Sequence, residues 1–560
     1  MSQMRQDFDE AIAQLVANGA PFELENLPSG GRRYANAPKD LREALWSARQ
    51  HGDREFLIYE GERYSFNQLL DHAEAIAGAL QQRGVRQGER VAIAMRNYPE
   101  WMMAYLAVIA IGAVAVPVNS WGTASDVSFA LQDCGAGWVF CDQQRYNGVS
   151  EAVAAGDLQA CIARPDDPGH PASLQRLIDE GRGVVLAMPE LSPDDLAMIL
   201  YTSGTSGKPK GAASTHRAVA QAIFNMECAA TAAAMTNIPL ITAMMENGYE
   251  PTALLAVPLF HVSGLHAQFF ANFRGGRRIV MMYKWDVDRA LDYIERERVT
   301  TVSVAPAMAL DLLEAPRFDQ IDRSSLFALG VGGAATPPHI RAMIDRALPN
   351  NFSGTGWGMT ETNAQGSSFT GRAFTEKSGS SGFPHPVVDL RVCDEAGAER
   401  PTGQAGELWV RSPTNICEYW NRPEANAAEF VDGWFRTGDI GYLDEDGFIH
   451  LSDRAKDVII RGGENIYPAE IEAAVLEHPA VKEVAAVGMP HDRWGEEVAI
   501  AVHLHAEQNT SESDLMDHAA ARLAPYKVPS LVHISREPLP RNATNKLLKH
   551  KIRESLQVSV

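Results

Sequence analysis

Cysteine is scarce in this sequence, and its spacing carries no motif. Only six cysteines occur among 560 residues, without the CxxC or zinc-like spacing of a redox or metal site. They are Cys134, Cys141, Cys161, Cys228, Cys393 and Cys417. This scatter predicts the reduced thiols of a cytoplasmic protein, and we expect neither a disulfide nor a structural metal.

Basic residues are few relative to acidic ones. The 50 lysines and arginines are outnumbered by 71 aspartates and glutamates, which gives a formal net charge of -21. Such a surface repels nucleic acid and anionic membranes, so we predict neither as a general partner. An anionic ligand must therefore be met by local hydrogen-bond donors.

Signals for export or membrane insertion are also missing. Residues 1–15 contain acidic residues at helical spacing, where a secretory signal needs a basic stretch and then an apolar run. The longest apolar stretch, residues 102–118, includes Gly112 and Pro117 and runs into a strand-like segment. We interpret it as a core helix entering a buried strand, and predict no integral membrane segment.

Short β-rich runs alternate with helical stretches over most of the chain, which predicts a parallel α/β architecture. The runs begin at Val91, Ala113, Trp138, Leu254, Arg278, Thr300 and Leu326. From about residue 389 short strands with turn signals indicate a β-subdomain, and a smaller α+β pattern follows Asp453. Because 560 residues exceed one compact core, we predict domains at residues 1–453 and 454–560.

Residues 201–211, which read YTSGTSGKPKG, directly follow an apolar run. Their glycines let backbone N–H groups turn inward, and the hydroxyls with Lys208 and Lys210 add donors that suit a polyphosphate. The segment is not a Walker A loop, because Thr202 and Pro209 occupy the places of its first glycine and its Ser or Thr. A flexible surface turn is the alternative, but the ordered Gly and Lys spacing favours phosphate binding.

Further motifs follow in a fixed order, and together they cover residues 63–546. They are YSFNQL from Tyr64, IGAVAVPVN ending at Asn119, the loop above, PLFHVSG from Pro258, VGGAATP from Val331, GWGMTET from Gly356, GELWVRS from Gly406, WFRTGD ending at Asp439, DRAKDVIIRGGENIYPAEIE from Asp453, and LPRNATNK ending at Lys546. With these motifs the chain resembles the adenylate-forming superfamily of acyl-CoA synthetases, firefly-luciferase-like ligases and peptide-synthetase adenylation domains.

The resemblance implies a fold and a reaction. The expected fold is α/β, with a large N-terminal domain of two parallel-sheet α/β subdomains plus a β-subdomain, followed by a small mobile α+β domain. The expected enzyme activates a small carboxylic acid with ATP and Mg²⁺ as an acyl-adenylate, releasing pyrophosphate, and then transfers the acyl group to coenzyme A. Such chemistry requires the protein to position reactants and neutralise developing negative charge.

The resemblance also assigns the phosphate and metal ligands. The loop residues expected to hold the ATP phosphates are Thr202, Ser203, Gly204, Thr205, Ser206, Gly207, Lys208 and Lys210. Glu361, together with Thr202, is expected to hold Mg²⁺, which prefers oxygen ligands. A solvated carboxylate at a helix start is the alternative for Glu361.

For the nucleoside, the family places an aromatic residue, usually tyrosine, where this chain has Trp357, so adenine stacking is expected without a phenol hydroxyl. The other residues expected around the nucleotide are Gly332, Gly333, Ala334, Gly356, Gly358, Met359 and Thr360. Asp439 and Arg454 are the expected ribose contacts. A surface aspartate in a tight turn is the alternative for Asp439.

The small domain is expected to serve both half-reactions. Lys546 is the expected catalytic residue for adenylation, and Asn545 replaces the usual glycine before it, a mild departure because Asn tolerates left-handed backbone. Rotation about a hinge at Lys456 is then expected to withdraw Lys546. The residues expected to move toward the CoA thiol are Gly462, Gly463, Glu464 and Trp494, although Trp494 is equally an ordinary surface residue.

The acid is expected to be fatty or aromatic. Amino-acid-activating relatives place an aspartate near the PLFHVSG motif, whereas this chain has His261, which we expect to border the acyl pocket and the thiol path; a structural core histidine is the alternative. A ligase that loads a separate acyl-carrier protein and a luciferase-like oxygenase are the other hypotheses. A homodimer is a further possibility that the sequence leaves open.

Overall fold

A computed structural model describes residues 3–28, 30–202, 209–333, 338–348, 351–377, 379–461, 464–491, 493–506, 508–543 and 545–559. The chain forms two compact units. The first contains Met1–Asp389 and Val410–Phe435, and the second contains Leu390–Trp409 and Arg436–Val560. A hinge at Lys456 and the division at residue 453 remain predictions.

The first sheet of the first unit has seven strands among the described residues. In spatial order they are Glu418–Tyr419, Lys210–Thr215, Leu196–Thr202, Val114–Pro117, Arg90–Ala94, Trp138–Asp142 and Gln159–Ala163. The last five run parallel, whereas Lys210–Thr215 is antiparallel to both of its neighbours. An antiparallel hairpin therefore closes one side of a parallel sheet.

The second sheet has six strands in the described part of the chain. In order they are Ala328–Val331, Thr301–Val304, Thr252–Leu255, Arg278–Met281, Glu55–Tyr59 and Glu62–Ser65. All but the last run parallel. The two sheets confirm the predicted α/β architecture, and each of the seven predicted β-rich runs overlaps a strand.

The apolar stretch at residues 102–118 is a core helix and a strand, as predicted. Every residue of the helix Pro99–Ala110 except Glu100 is buried, and the chain then enters the buried strand Val114–Pro117. Across the described residues, no single helix has the length and apolar character needed to cross a membrane. One bent pair, His216–Met235 with Ile238–Glu246 at 94°, has them only when its two helices are taken together.

The remaining described elements of the first unit surround these sheets. The helices are Gln3–Val16, Leu41–Trp46, Phe66–Gln82, Ala124–Cys134, Gln143–Ala155, Leu174–Gly181, Val262–Gly264, Ala271–Arg274, Val287–Arg296, Pro306–Glu314, Pro338–Ala347, Arg372–Glu376 and Pro423–Glu429, with 3₁₀ turns Ser47–His51 and Thr360–Thr362 and a π-helix Leu265–Phe270; the minor strands are Leu24–Asn26, Arg32–Tyr34, Gly354–Trp357, Ser367–Thr370, Phe383–Pro384 and Phe430–Val431. Local sequence explains many helix starts. Ser65 and Gln68, for example, form a reciprocal capping box at the helix Phe66–Gln82.

The N-terminal segment is tied into the first unit by buried hydrogen bonds. The Tyr34 hydroxyl donates to Asn225 Oδ1 at 2.7 Å, and Asn225 Nδ2 donates to Gln365 Oε1 at 2.6 Å. Gln365 Nε2 in turn lies 3.3 Å from the carbonyl oxygen of Asn363. A chain of polar contacts thus runs from the N-terminal segment to the turn that carries Glu361.

The second unit is α+β in its C-terminal part. Its sheet contains Glu464–Ile466, Ile459–Arg461, Gly495–Leu504, Val481–His491 and, parallel to Gly495–Leu504, Leu531–Ser535; its helices are Pro468–Leu476, Glu512–Ala520 and Lys549–Ser559, with 3₁₀ turns Ala455–Asp457 and Pro525–Lys527. Three strands lead the chain between the units: Asp389–Cys393, Gly406–Arg411 and Trp434–Leu443. Within the second unit, Trp434–Leu443 pairs with Ile449–Arg454.

The six cysteines carry free thiols, and all but Cys417 are buried. Burial raises the pKa of the Cys134 thiol to about 11 and that of Cys161 further. Thiols that stay protonated are poor nucleophiles, so we assign them no part in the chemistry.

Candidate active site

The predicted phosphate loop connects two hairpin strands. Thr202 ends the strand Leu196–Thr202, and Lys210 begins the strand Lys210–Thr215 directly opposite it. The Thr202 hydroxyl lies 3.4 Å from the Lys210 carbonyl oxygen. Both ends of the loop are therefore fixed by the sheet, while its predicted ligands Ser203, Gly204, Thr205, Ser206, Gly207 and Lys208 lie outside the described residues.

Lys210 contacts two residues that the sequence motifs did not identify. Its Nζ lies 2.5 Å from Glu429 Oε1 and 4.2 Å from the centre of the Tyr419 ring. Tyr419 reaches this position because its strand pairs with Lys210–Thr215, with Tyr419 opposite Ala212. The cation therefore lies against a carboxylate and an aromatic face, two surroundings that stabilise an ammonium group.

Glu361 belongs to the same cluster. It lies on the 3₁₀ turn Thr360–Thr362, and its Oε1 is 3.0 Å from the Tyr419 hydroxyl. The same hydroxyl is 2.8 Å from Glu429 Oε2. The structure thus connects two predicted site residues, Glu361 and Lys210, through Tyr419 and Glu429.

The Tyr419 hydroxyl is strongly held in its neutral form. Burial raises its pKa well above the usual value, and the nearby Glu361 and Glu429 carboxylates raise it further. A neutral hydroxyl has one proton to donate, whereas two carboxylates contact it. The Glu361 carboxylate offers the oxygen ligands that a hard divalent cation such as Mg²⁺ prefers, which fits the predicted metal role of this residue.

The turn that carries Glu361 ends in two residues of left-handed backbone. Asn363 and Ala364 have φ values of 50° and 65°. Asn363 is fully buried, its Nδ2 donates to the Thr414 carbonyl oxygen at 2.8 Å, and its Oδ1 lies 3.1 Å from Ser214 Oγ. Asn tolerates left-handed backbone better than most residues. Its side-chain contacts then fix the conformation of the turn.

A buried histidine completes the support of Asn363. His266, in the π-helix Leu265–Phe270, has its Nε2 3.0 Å from Asn363 Oδ1, so Nε2 carries the proton that this contact needs. Burial lowers the pKa of His266 to about 3, although the contact with Asn363 opposes the shift. The imidazole is therefore neutral at ordinary pH.

The predicted nucleoside residue Trp357 ends the strand Gly354–Trp357 and is only 5% exposed. Its ring lies against Gly366, where an added Cβ would come within 2.7 Å of Trp357 Cε3. Part of the indole surface is thus covered by the protein backbone. Stacking of adenine on the remaining surface stays a prediction. Gly332 and Gly333, with φ of 80° at Gly333, follow the strand Ala328–Val331, and Ala334 lies outside the described residues.

Two glycines of the GWGMTET motif have a packing role that the sequence did not reveal. A Cβ on Gly356 would lie 2.5 Å from the Ser367 carbonyl oxygen, and one on Gly358 would lie 2.6 Å from the Ala364 carbonyl oxygen. Both positions need glycine for close backbone approach. Met359, just before Thr360, packs against the apolar cluster that includes Tyr419.

His261 lies at the N-terminus of the short helix Val262–Gly264 and is half-buried. Its backbone N–H donates to the Pro258 carbonyl oxygen at 3.2 Å, and its carbonyl oxygen accepts from Leu265 at 2.8 Å. The residue is therefore separated from the π-helix that holds His266 only by this short helix. A position at the acyl pocket remains a prediction.

In the second unit, the two predicted ribose residues face each other. Asp439 is opposite Arg454 on paired strands, and Arg454 Nε lies 3.1 Å from Asp439 Oδ1. The Asp439 side chain is 11% exposed, whereas that of Arg454 is 46% exposed. The two residues come from separate sequence motifs, and the pairing of their strands brings their side chains together.

The other predicted residues of the second unit occupy its surface and loops. Lys456 lies in the 3₁₀ turn Ala455–Asp457, Glu464 begins the strand Glu464–Ile466, and Trp494 is 40% exposed. Gly462 and Gly463 lie outside the described residues. Lys546 is half-buried and its N–H donates to Asn542 Oδ1 at 2.9 Å, while Asn545 has the predicted left-handed backbone with φ of 64°.

Family models match both parts of the chain. The model described as AMP-binding enzyme matches residues 45–420, and the model described as AMP-binding enzyme C-terminal domain matches residues 470–546. The chain belongs to the AMP-binding enzyme family. This confirms the family resemblance that the ordered motifs predicted.

Individual relatives cover most of the chain. It is 34% identical to the long-chain-fatty-acid–CoA ligase FadD13 of Mycobacterium tuberculosis over 89% of this chain and 94% of the relative. It is 34% identical to a feruloyl-CoA synthase of an Amycolatopsis species over 88% and 94%. A solved structure of Bacillus subtilis o-succinylbenzoate CoA synthetase in complex with ATP and magnesium ion matches with a TM-score of 0.74 and 30% identity, over 91% of this chain and 99% of that one.

These findings place the family member in the branch of AMP-forming acid–CoA ligases. Relatives of this branch align over most of both chains, so the agreement is not confined to a single motif. The findings favour a CoA ligase over the carrier-protein ligase and the luciferase-like oxygenase.

Proposed function

We propose that this enzyme joins a fatty or aromatic carboxylic acid to coenzyme A, using ATP and Mg²⁺. In the first half-reaction a carboxylate oxygen bonds to the α-phosphorus while the bond to the bridging oxygen breaks, and pyrophosphate leaves. In the second, the CoA sulfur bonds to the acyl carbon, the carbon–oxygen bond to AMP breaks, and the thiol proton is released. The observation that carries the proposal is the cluster that joins Lys210 to Glu361 beside the loop hairpin.

On the phosphate side, Thr202 and Glu361 supply the oxygen ligands for Mg²⁺, and Lys210 faces the phosphates. Bound Mg²⁺ neutralises charge on the phosphate oxygens. The sheet fixes Thr202 and Lys210 opposite each other, and the turn at Asn363 fixes Glu361. These groups are therefore positioned before the nucleotide arrives, which reduces the reorganisation needed for phosphoryl chemistry.

For the nucleoside, Trp357 provides an apolar face for adenine, and the backbone at Gly332 and Gly333 allows close approach. Asp439 accepts hydrogen bonds from the ribose hydroxyls and Arg454 donates to them. Their contact at 3.1 Å supports this assignment, because it holds a donor and an acceptor side by side.

In the small domain, Lys546 stabilises the negative charge that develops as the carboxylate attacks the phosphate. Rotation about Lys456 then exchanges Lys546 for the segment at Gly462, Gly463 and Glu464, and Trp494 contacts CoA. The left-handed backbone at Asn545 supports the motif assignment, because it reproduces a conformation that glycine adopts readily.

The relatives include ligases named for a fatty acid, for ferulate and for o-succinylbenzoate, so a fatty or aryl acid fits this chain. His261 stands where an amino-acid-activating enzyme would place an aspartate, which favours an acid without an ammonium group. We also propose a cytoplasmic location and keep a homodimer as a prediction. Neither is needed for the reaction.

The test is ATP–pyrophosphate exchange across a panel of fatty, aryl and amino acids, followed by detection of acyl-CoA by mass spectrometry. We expect exchange with at least one fatty or aryl acid, and a CoA thioester of the same acid. Exchange confined to amino acids would contradict the acid class. Exchange without any thioester from CoA would contradict the acceptor.

A further inference from the structure

The Tyr419 hydroxyl contacts two carboxylates with a single proton. Its oxygen lies 3.0 Å from Glu361 Oε1 and 2.8 Å from Glu429 Oε2. The residue is 2% exposed, and its ring packs among Ala212, Ile416 and Phe435. Because the hydroxyl can donate to only one acceptor along its O–H bond, the two contacts compete for the same proton.

Lys210 supports one side of this competition. Its Nζ lies 2.5 Å from Glu429 Oε1, on the opposite oxygen from the one that Tyr419 contacts. The carboxylates of Glu361 and Glu429 with the Lys210 ammonium carry a formal charge of -1, from two negative charges and one positive. A divalent cation at Glu361 would reduce the hydrogen-bond acceptor strength of that carboxylate and favour the hydrogen bond from Tyr419 to Glu429.

We propose that Tyr419 is a positioning residue for the metal-binding carboxylate Glu361, and that Glu429 is the acceptor of the Tyr419 hydrogen bond when Glu361 binds Mg²⁺. The inference rests on the proposed role of Glu361. The hydroxyl restricts the rotation of the carboxylate, so Glu361 loses less side-chain freedom when it binds the metal. Glu429 keeps the hydroxyl hydrogen-bonded afterwards, which avoids leaving a buried O–H without an acceptor.

The test measures nucleotide binding and needs no turnover. Isothermal titration compares the Kd of Mg–ATP with that of ATP in EDTA for the full-length protein and its Tyr419→Phe variant. We expect Tyr419→Phe to raise the Kd of Mg–ATP about tenfold, because the unrestrained Glu361 side chain must then be ordered on binding, and to leave the Kd of metal-free ATP unchanged.

Tyr64→Phe is the matched control. The Tyr64 hydroxyl also donates to a carboxylate, Glu62 Oε2 at 2.8 Å, but lies on the strand Glu62–Ser65 of the other large sheet. We expect this variant to bind both forms of ATP as the wild type does. Thermal unfolding of the two variants then separates a general loss of stability from an effect on the metal.

Equal weakening of both forms of ATP, an unchanged Kd for Mg–ATP, or failure of Tyr419→Phe to fold would each overturn the inference. Glu361→Gln distinguishes this failure from a failure of the proposed site. If Glu361→Gln abolishes the preference for Mg–ATP while Tyr419→Phe preserves it, the metal site stands and the role of Tyr419 falls. If Glu361→Gln preserves the preference for Mg–ATP, Glu361 is not the metal ligand, and the roles proposed for Glu361 and Tyr419 are both wrong. Detection of acyl-CoA still tests the proposed reaction separately.

Discussion

Polar side chains are held differently in two regions of the molecule. One region is the turn that carries Glu361, and the other is the Asp439–Arg454 pair. Around the turn, Asn363 is fully buried and Tyr419 is 2% exposed, and both are tied by hydrogen bonds. In the second unit, the Arg454 side chain is 46% exposed. Buried polar groups are costly to separate from their partners, whereas exposed ion pairs exchange with water at little cost.

The difference matches the role that we propose for each region. A metal and phosphate site works best when its ligands are fixed before binding. Residues on a domain that serves two half-reactions must instead leave their partners easily. The comparison predicts large stability effects in the first region and effects mainly on catalysis or nucleotide binding in the second.

The largest effect is expected at Lys546 in the second unit. Lys546→Ala should lower ATP–pyrophosphate exchange by about 10³-fold, because transition-state charge loses its stabilisation, yet spare thioester formation from supplied acyl-AMP. Exchange assays and a CoA assay with synthetic acyl-AMP measure the two steps. Lys551→Ala, on the exposed face of the helix Lys549–Ser559, is the control. Equal loss of both half-reactions would contradict the assignment.

Asn363 tests the buried side of the comparison. Asn363→Ala should lower the free energy of unfolding by about 3 kcal/mol, because Thr414, Ser214 and His266 lose a buried partner. Asn363→Gly loses the same contacts but tolerates the φ of 50°, so it should be more stable than Asn363→Ala by about 1 kcal/mol. Urea unfolding measures both values. Two variants of equal stability would show that backbone strain plays no part.

His266 should make the same region sensitive to acid. Its folded pKa of about 3 is below the ordinary value of 6.5, so the unfolded chain takes up a proton that the folded chain excludes. Its contribution to the free energy of unfolding is complete above pH 6.5 and is lost progressively as the pH falls toward 3. The loss at pH 5 is about 2 kcal/mol. Urea unfolding of wild type and His266→Gln at pH 7.5 and 5 measures the difference in slope. Parallel slopes would contradict the prediction.

Arg454 should show the smallest stability effect. Arg454→Ala should change the free energy of unfolding by less than about 1 kcal/mol, since the Arg454 side of its ion pair is 46% exposed. Its KM for ATP should nevertheless rise about tenfold through the lost ribose contact. Thermal unfolding and steady-state kinetics check the two parts, with Arg536→Ala as a control elsewhere in the unit. A large loss of stability would place Arg454 with the buried class instead.

Local patterns predicted most of the fold. Short β-rich runs between helical stretches located all seven predicted strands, because the apolar pattern of a buried strand is visible in the local sequence. The N-terminal cap of Phe66–Gln82 is equally local. The hairpin at Thr202 and Lys210 was only partly visible, since sequence places the loop but not the antiparallel pairing that fixes its ends.

The support of the site could not be predicted in the same way. Tyr419 and Glu429 are separated from Glu361 and Lys210 by 58 and 219 positions, respectively, and only the pairing of two strands brings them together. Asn363 sits inside a recognised motif, yet nothing local specifies its partners Ser214 and His266. A motif reports which groups are needed, whereas their orientation depends on contacts between distant segments.

The hydrogen bonds of Tyr34 have a consequence for chimaeric enzymes. The family match begins at residue 45. A chimaera of two relatives joined at that residue would take Asn225 from one parent and the residue at position 34, which donates to Asn225 Oδ1, from the other. If that parent had no hydroxyl at this place, the buried Oδ1 of Asn225 would lose its hydrogen-bond donor, at a cost of about 1–3 kcal/mol. Asn225 is hydrogen-bonded to Gln365, which in turn contacts Asn363 beside the turn that carries Glu361. A crossover placed before Tyr34 keeps this chain of contacts within one parent.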